Sequence, residues 1–165
     1  MKSDILLRPF RKNDCAVVLE LIRELAAFQG QPDEVAITLP GLEDAAFGDK
    51  PLLEGILAEK DGEVVGAALI FEKYSTWKGR GAHLEDLVVK ERYRGLGIGS
   101  RLFEAVMKLC LERGYGMMDW QILESNEPAI RFYEKYGSSI AGDWLNGRLS
   151  QKNLEAWFNG KSKDH

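Results

Sequence analysis

Cysteine and histidine are scarce in this chain of 165 residues, with two of each. Cys15, Cys110, His83 and His165 are too few and too scattered for a disulfide framework or a zinc site, so no metal is implied. No apolar run approaches the roughly 18 residues that a bilayer-spanning helix needs, and Ile5-Leu6-Leu7 is too brief for the core of a signal peptide. The expectation is a cytoplasmic protein without a membrane partner. Blocks of Lys and Arg are missing too, and the formal net charge is −4. That balance disfavours a nucleic-acid partner and is compatible with a small cationic substrate.

What is present suits one α/β domain spanning residues 1–165, because 45% hydrophobic and 29% charged residues over this length can build and solvate a single core. Residues 5–10 read as a strand. After Asn13 and Asp14 as caps, Val17, Val18, Leu21, Ile22, Leu25 and Phe28 recur with a helical period, up to Gly30-Gln31-Pro32. Thr38 opens a short helix that stops at Gly48. Residues 52–59 and 64–74 are β-rich runs joined through Asp61-Gly62, a pair that accepts the positive φ angles of a tight hairpin. Residues 82–89 extend this meander, residues 117–122 form a further strand, Asn126 caps another helix, residues 144–149 read as a last strand, and Ser150 opens a terminal helix. Such an order predicts a mixed sheet with helices on both faces.

The most informative stretch runs from Leu84 to Ser100. An apolar strand, Leu87-Val88-Val89, leads into Arg94-Gly95-Leu96-Gly97-Ile98-Gly99-Ser100, where Ser100 reads as the cap of the next helix. Bare backbone amides at a helix N-terminus, with glycines that permit close approach, suit a pyrophosphate. The dinucleotide fingerprint needs its third glycine three residues after the second, whereas Gly99 comes two after Gly97; the NTPase loop needs Gly-Lys-Ser/Thr, and no lysine is here. Cys110, on the helical stripe with Leu102, Phe103, Val106 and Leu109, reads as core rather than as an acyl carrier.

Arg-x-x-Gly-x-Gly resembles the acyl-CoA loop of the GNAT N-acetyltransferase superfamily. Leu-Glu-Asp followed by Arg-Gly-x-Gly-Ile-Gly-Ser is similar in particular to its diamine branch, the spermidine/spermine and thialysine-type enzymes. Residues 124–137 resemble the family's Asn-x-x-Ala-x-x-Phe-Tyr-x-x-x-Gly segment. The resemblance implies a mostly antiparallel mixed sheet whose central strand pair splays to admit the pantetheine arm of acetyl-CoA. It places Leu87, Val88, Val89, the loop from Arg94 to Ser100, Asn126, Pro128, Ala129 and Tyr133 against the cofactor. A bulge in the central strand would aim an N–H at the thioester oxygen.

By the same resemblance Tyr133 hydrogen-bonds the departing sulfur, and Glu85 acts as the base for the amine; the plainer reading of Glu85 is an exposed edge carboxylate. Phe28, Gln29, Trp77, Glu85 and Asp86 would line the acceptor mouth, with Trp77 equally readable as packing. Ser75 and Gln29 stand where polyamine enzymes carry acids, which favours a thialysine-like amino acid or short diamine over spermine. A homodimer is expected by analogy. The alternatives are another amine, such as a protein N-terminus or an aminoglycoside, or a non-catalytic acyl-CoA sensor.

Overall fold

The computed structural model describes residues 5–140 and 142–161 and divides into two compact units, the first ending at Gln121 and the second starting at Ile122. In the first unit five strands lie in sequence order: β1 (Leu6–Pro9), β2 (Glu54–Lys60), β3 (Glu63–Ser75), β4 (Gly79–Val89) and β5 (Met117–Trp120). The first four are antiparallel, and β4 pairs with β5 in parallel. Between β1 and β2 come helices α1 (Cys15–Phe28) and α2 (Leu39–Phe47), and α3 (Ile98–Glu112) makes the crossover from β4 to β5. The hairpin at Asp61-Gly62 forms as its residues require, with φ of 52° and 79°.

Alternation along β2 and β3 assigns the helices to opposite faces. Leu57, Ala67 and Leu69 join Val18, Leu21 and Leu42 in one buried cluster, so α1 and α2 cover that face. Residues of the other parity meet α3: Ile70 lies beside Ala105 and Leu109, and Leu102 reaches over Gly66. Leu102, Phe103, Val106 and Cys110 form the buried stripe of α3, as their helical spacing implies.

Three local expectations need correction. Asp14 does not cap α1 with its side chain; its carboxylate accepts from the Arg11 backbone N–H at 2.9 Å and from Arg8 at 2.8 and 2.9 Å, closing the turn ahead of the helix. The Arg8 hydrogen bonds are the largest influence on Asp14 and hold its carboxyl below the ordinary carboxylate range, against the opposing effect of burial. Ser100 is not the cap of α3, because Gly97, three residues earlier, takes that place with a left-handed φ of 76°. Residues 144–149 form no strand: the described residues 142–150 have no regular structure, and Trp144, Leu145 and Leu149 are exposed. A β-prone run without a partner edge gains no ladder hydrogen bonds to fix it.

The second unit holds α4 (Glu127–Glu134) and α5 (Gln151–Lys161). Asn126 caps α4 as its spacing predicts, its side-chain oxygen accepting from the Ala129 N–H at 3.2 Å, and Pro128 occupies the first turn, where its missing N–H costs nothing.

Candidate active site

Strand β4 carries an irregularity that reorganises its faces. Asp86 opposes Leu69 and Leu84 opposes Ile70, so Glu85 opposes nothing and forms a β-bulge. Simple alternation would put Leu84 and Asp86 on one face. The extra residue instead sends Leu84 to the α3 side, where it is buried, and turns Asp86 toward α1 and α2, on the face shared by His83 and Val88.

Glu85 and Asp86 there line a cleft of about 330 Å³ with Ile22, Leu25, Gln29 and Glu34, a size at the small end of ligand sites. A neighbouring hollow of about 610 Å³ includes Ile37, Phe71 and, again, Glu85, so this carboxylate stands where the two meet. Its side chain is 54% exposed. Asp86 differs: burial first, and the Glu85 charge second, push its carboxyl up to about 6 from 3.8. No hydrogen bond or ion pair reaches Asp86 among the described residues.

The cleft ends where two strands part. Pairing of β4 with β5 runs from Gly81↔Met117 to Leu84↔Trp120 and stops, whereas β3 accompanies β4 as far as Gly66↔Val89. Pairing of the central two strands therefore ends just before the bulge. Val88 is buried in the core, and Leu87 and Val89 are half-buried.

Beyond Val89 the chain is pinned before it enters the glycine loop. Glu63 accepts from Lys90 Nζ and Tyr93 OH, each at 2.8 Å, and from Arg92. These donors, Lys90 foremost, hold its carboxyl down to about 2. Gly95 and Gly97 then adopt φ of 77° and 76°, angles that a side chain would strain, and a Cβ on either would project into open space. The helix ladder of α3 begins with Arg101 N–H to Gly97 C=O at 3.1 Å, which leaves the N–H groups of Ile98 and Gly99 outside it, at the positive end of the helix. Ile98 is anchored by burial (1% exposed), while Leu96 is exposed. Ser100 lies half-buried in the first turn. Arg94 is partly committed: its Nε donates to the Val89 carbonyl at 3.0 Å, and its guanidinium lies 4.8 Å over the Phe28 ring.

In the second unit Tyr133 sits in the last turn of α4, buried, its ring edge-on to Phe132 at 5.0 Å. Burial pushes its phenol up to about 12. Two predicted acceptor contacts lie elsewhere. Phe28 is under Arg94 rather than in the cleft, although Gln29 beside it does line that cleft. Trp77 is 84% exposed at the tip of the β3–β4 hairpin, where the Ser75 hydroxyl accepts from the N–H groups of Trp77 and Lys78 at 3.2 Å each.

An open strand edge beside a left-handed glycine loop and a bared helix start fits a molecule with a pyrophosphate and an amide-bearing arm. Residues 18–137 match the family model described as Acetyltransferase (GNAT) family. The chain belongs to the GNAT acetyltransferase family. Thialysine N-epsilon-acetyltransferase of Bos taurus is 37% identical to it over 142 residues, covering 81% of this chain and 84% of the relative. Spermidine/spermine N(1)-acetyltransferase-like protein 1 of Homo sapiens is 30% identical over 139 residues, covering 80% of this chain and 20% of that longer protein. Among solved structures, an integron cassette protein from the mobile metagenome of V. cholerae superposes with a TM-score of 0.75 at 21% identity, covering 97% and 98% of the two chains.

This GNAT protein is an N-acetyltransferase of the diamine and thialysine branch. GNAT enzymes take acetyl-CoA as donor, and the glycine loop and the open edge of β4 fit its pyrophosphate and pantetheine in shape and donor set.

Sequence reading missed several neighbours of the cleft. Glu34 lies in the segment after Pro32, where nothing in its surroundings marks a ligand. Ile37 and Leu42 precede and enter a helix that looked merely structural. His83 and Asp119 are joined at 2.6 Å across β4 and β5. Only the parallel register His83↔Asp119 could have revealed that pair, and register between strands 36 residues apart is not written locally.

Proposed function

We propose that the enzyme transfers the acetyl group of acetyl-CoA to the primary amine of a small molecule, a thialysine-like amino acid or a short diamine, by direct attack on the thioester. The observation that carries this reading is the bulge at Glu85, which turns two carboxylates into one cleft where β4 leaves β5. Asp86 is half-buried with no cation against it among the described residues, and an arriving ammonium would supply one while its alkyl chain meets Ile22, Leu25 and Leu69. Glu85 takes the amine's proton, directly or through one water. An alkyl ammonium with a pKa near 10.4 is only about one part in a thousand neutral at pH 7.4, so attack needs that step.

On the donor side, the Ile98 and Gly99 amides and the α3 dipole would hold the pyrophosphate, with Arg94 to Ser100 framing it. The backbone of Leu87 and Val89 would take the pantetheine amides, and an N–H at the bulge would stabilise the oxyanion. When bound, acetyl-CoA supplies the activated acetyl group and a thiolate leaving group. Tyr133 is assigned to that sulfur by its place in the Asn126, Pro128, Ala129 segment. With its phenol near 12, it serves as a hydrogen-bond donor that keeps its proton.

Gln29 in place of an acid, and a cleft of only about 330 Å³, favour one ammonium beside a neutral or zwitterionic group over an extended polycation. The name of the thialysine N-epsilon-acetyltransferase relative points the same way, whereas that of the spermidine/spermine relative points to a polyamine. We also take the enzyme to be a cytoplasmic homodimer: no helix among the described residues is long and apolar enough to cross a membrane, and the exposed Trp144, Leu145, Trp157 and Phe158 suit a protein partner. Light scattering would test the dimer. The functional reading is tested by incubating the protein with acetyl-CoA and a panel of amines. Thiol release with thialysine or short diamines is expected, and acetyl-CoA binding without thiol release on any amine would refute it.

A further inference from the structure

Beside the acceptor cleft, on the same face of the sheet, lies a row of polar side chains that the reaction as described does not use. Lys73 Nζ meets Asp119 Oδ2 at 2.6 Å, and Asp119 Oδ1 meets His83 Nδ1 at 2.6 Å. His83 Nε2 stands 3.5 Å from Glu85 Oε2. Three strands contribute: Lys73 comes from β3, His83 and Glu85 from β4, Asp119 from β5. The register holds them in line, with His83 opposite Phe71 on one side and Asp119 on the other. The imidazole is only 16% exposed and lies 4.9 Å from the Phe71 ring at 32°.

The protons in this row can be assigned. Burial raises the affinity of Asp119 for a proton, but the Lys73 and His83 hydrogen bonds together outweigh it and hold the carboxyl below its ordinary range. An ionised carboxylate only accepts, so the proton between the two residues is on His83 Nδ1. In the neutral imidazole the lone pair of Nε2 then faces Glu85. Lys73 balances the Asp119 charge, which orients the carboxylate instead of leaving it to rotate. This is the arrangement by which a hydrogen-bonded carboxylate fixes a histidine's tautomer and steadies the cation it becomes.

We propose that His83, oriented by Asp119 and Lys73, stores the proton that Glu85 removes from the acceptor ammonium. This rests on the acetyl-transfer reading above. The ammonium N–H bond breaks and its electron pair stays on the amine nitrogen, which attacks the thioester carbon; as the C–N bond forms the C–S bond breaks, and the second N–H proton leaves with the departing thiolate. The first proton forms an O–H bond on Glu85, and that bond breaks as N–H forms at His83 Nε2. The imidazolium so produced lies between the carboxylates of Glu85 and Asp119, and the proton returns to water through the exposed Glu85. The 3.5 Å gap is longer than a hydrogen bond, as catalytic contacts often are before substrate closes the site. His83, Asp119 and Lys73 are positioning and storage groups; Glu85 is the one that meets substrate.

The charged groups facing the imidazole are Glu85 on its own strand, Asp119 from β5 and, through Asp119, Lys73 from β3. The alternative is that the row merely ties three strands together, and two variants separate the roles. His83→Gln keeps a side-chain donor for Asp119 but cannot take up a proton. Asp119→Asn can donate to Nδ1, which moves the ring proton to Nε2 and blocks uptake there.

The experiment measures kcat/KM for thialysine between pH 6.5 and 10, together with acetyl-CoA affinity and thermal denaturation. Both variants should lose about ten- to a hundredfold near pH 7, and the deficit should close as pH approaches the amine's own pKa near 10. Acetyl-CoA affinity should be unchanged. If His83→Gln fails to fold, Asp119→Asn decides. A folded variant with wild-type kcat/KM, or with the same deficit at every pH, overturns the storage role while leaving acetyl transfer standing. A wild-type protein that acetylates no amine overturns both.

Discussion

Asp86 is half-buried in the cleft beside the β4 bulge, with no hydrogen-bond or ion-pair partner among the described residues, and the substitution Asp86→Asn should stabilise the protein at neutral pH. Its carboxyl titrates near 6 in the fold against 3.8 as an ordinary aspartate. In that window the folded chain holds a proton that the unfolded chain has released, so this group's contribution to stability falls as pH rises from about 4 through about 6 and is flat above. At about 1.4 kcal/mol per pH unit, the gap corresponds to an upper figure of about 3 kcal/mol. An asparagine in its place would resemble the protonated acid, polar and uncharged, and would carry no such penalty.

Urea denaturation of both proteins at pH 4 and pH 7.5 isolates this effect, because the difference between variant and wild type cancels the opposing titrations of Asp14, Glu63 and Asp119. The variant should gain up to about 3 kcal/mol at pH 7.5 and nearly nothing at pH 4. It should also bind the amine more weakly, raising KM at least tenfold, which would make Asp86 a stability cost retained for recognition. A variant no more stable than wild type at pH 7.5, or equally favoured at both pH values, would refute the reasoning.

Three further outcomes follow from the donor and acceptor sides. Gly97→Asp places a Cβ at a left-handed φ and a carboxylate at the proposed pyrophosphate seat, so acetyl-CoA affinity should drop at least tenfold by calorimetry; unchanged affinity in a folded variant would remove the loop from the cofactor site. Tyr133→Phe keeps the ring against Phe132 and removes one oxygen, so kcat and kcat/KM should fall together by about ten- to a thousandfold with acetyl-CoA affinity nearly constant, as read by single-turnover kinetics. Thialysine or a short diamine should outperform spermine in direct competition, judged by product mass, because position 29 of the cleft is Gln rather than an acid.

Much of the fold was legible because its local chemistry was unambiguous. Asp61-Gly62 admitted little but a tight hairpin, and the stripe from Leu102 to Cys110 could bury only one face of a helix. The glycine loop was legible as a turn into a helix start, though the residue that caps it was not. Ser100 has the chemistry of a cap, but the left-handed turn at Gly97 starts the helix earlier.

The bulge at Glu85 could not be read, since Leu84-Glu85-Asp86-Leu87 satisfies alternation in either of two registers and only the β3 partner decides between them. With it went the distinction between an exposed Glu85 and a half-buried Asp86. The run from Trp144 to Leu149 misled because strand propensity says nothing about whether an edge is there to receive it.

The central claim is that the carboxylates on the β4 bulge serve acetyl transfer to a small primary amine. Its most direct test follows thiol release and acetylated product for wild type and Glu85→Gln with thialysine, from pH 6.5 to 10. The account predicts one acetylated amine per thiol for the wild type. For Glu85→Gln it predicts a deficit greatest at low pH, where neutral amine is scarcest, that closes toward pH 10. An absence of acetylated amine with the wild type, or a Glu85→Gln deficit equal at every pH, would contradict it.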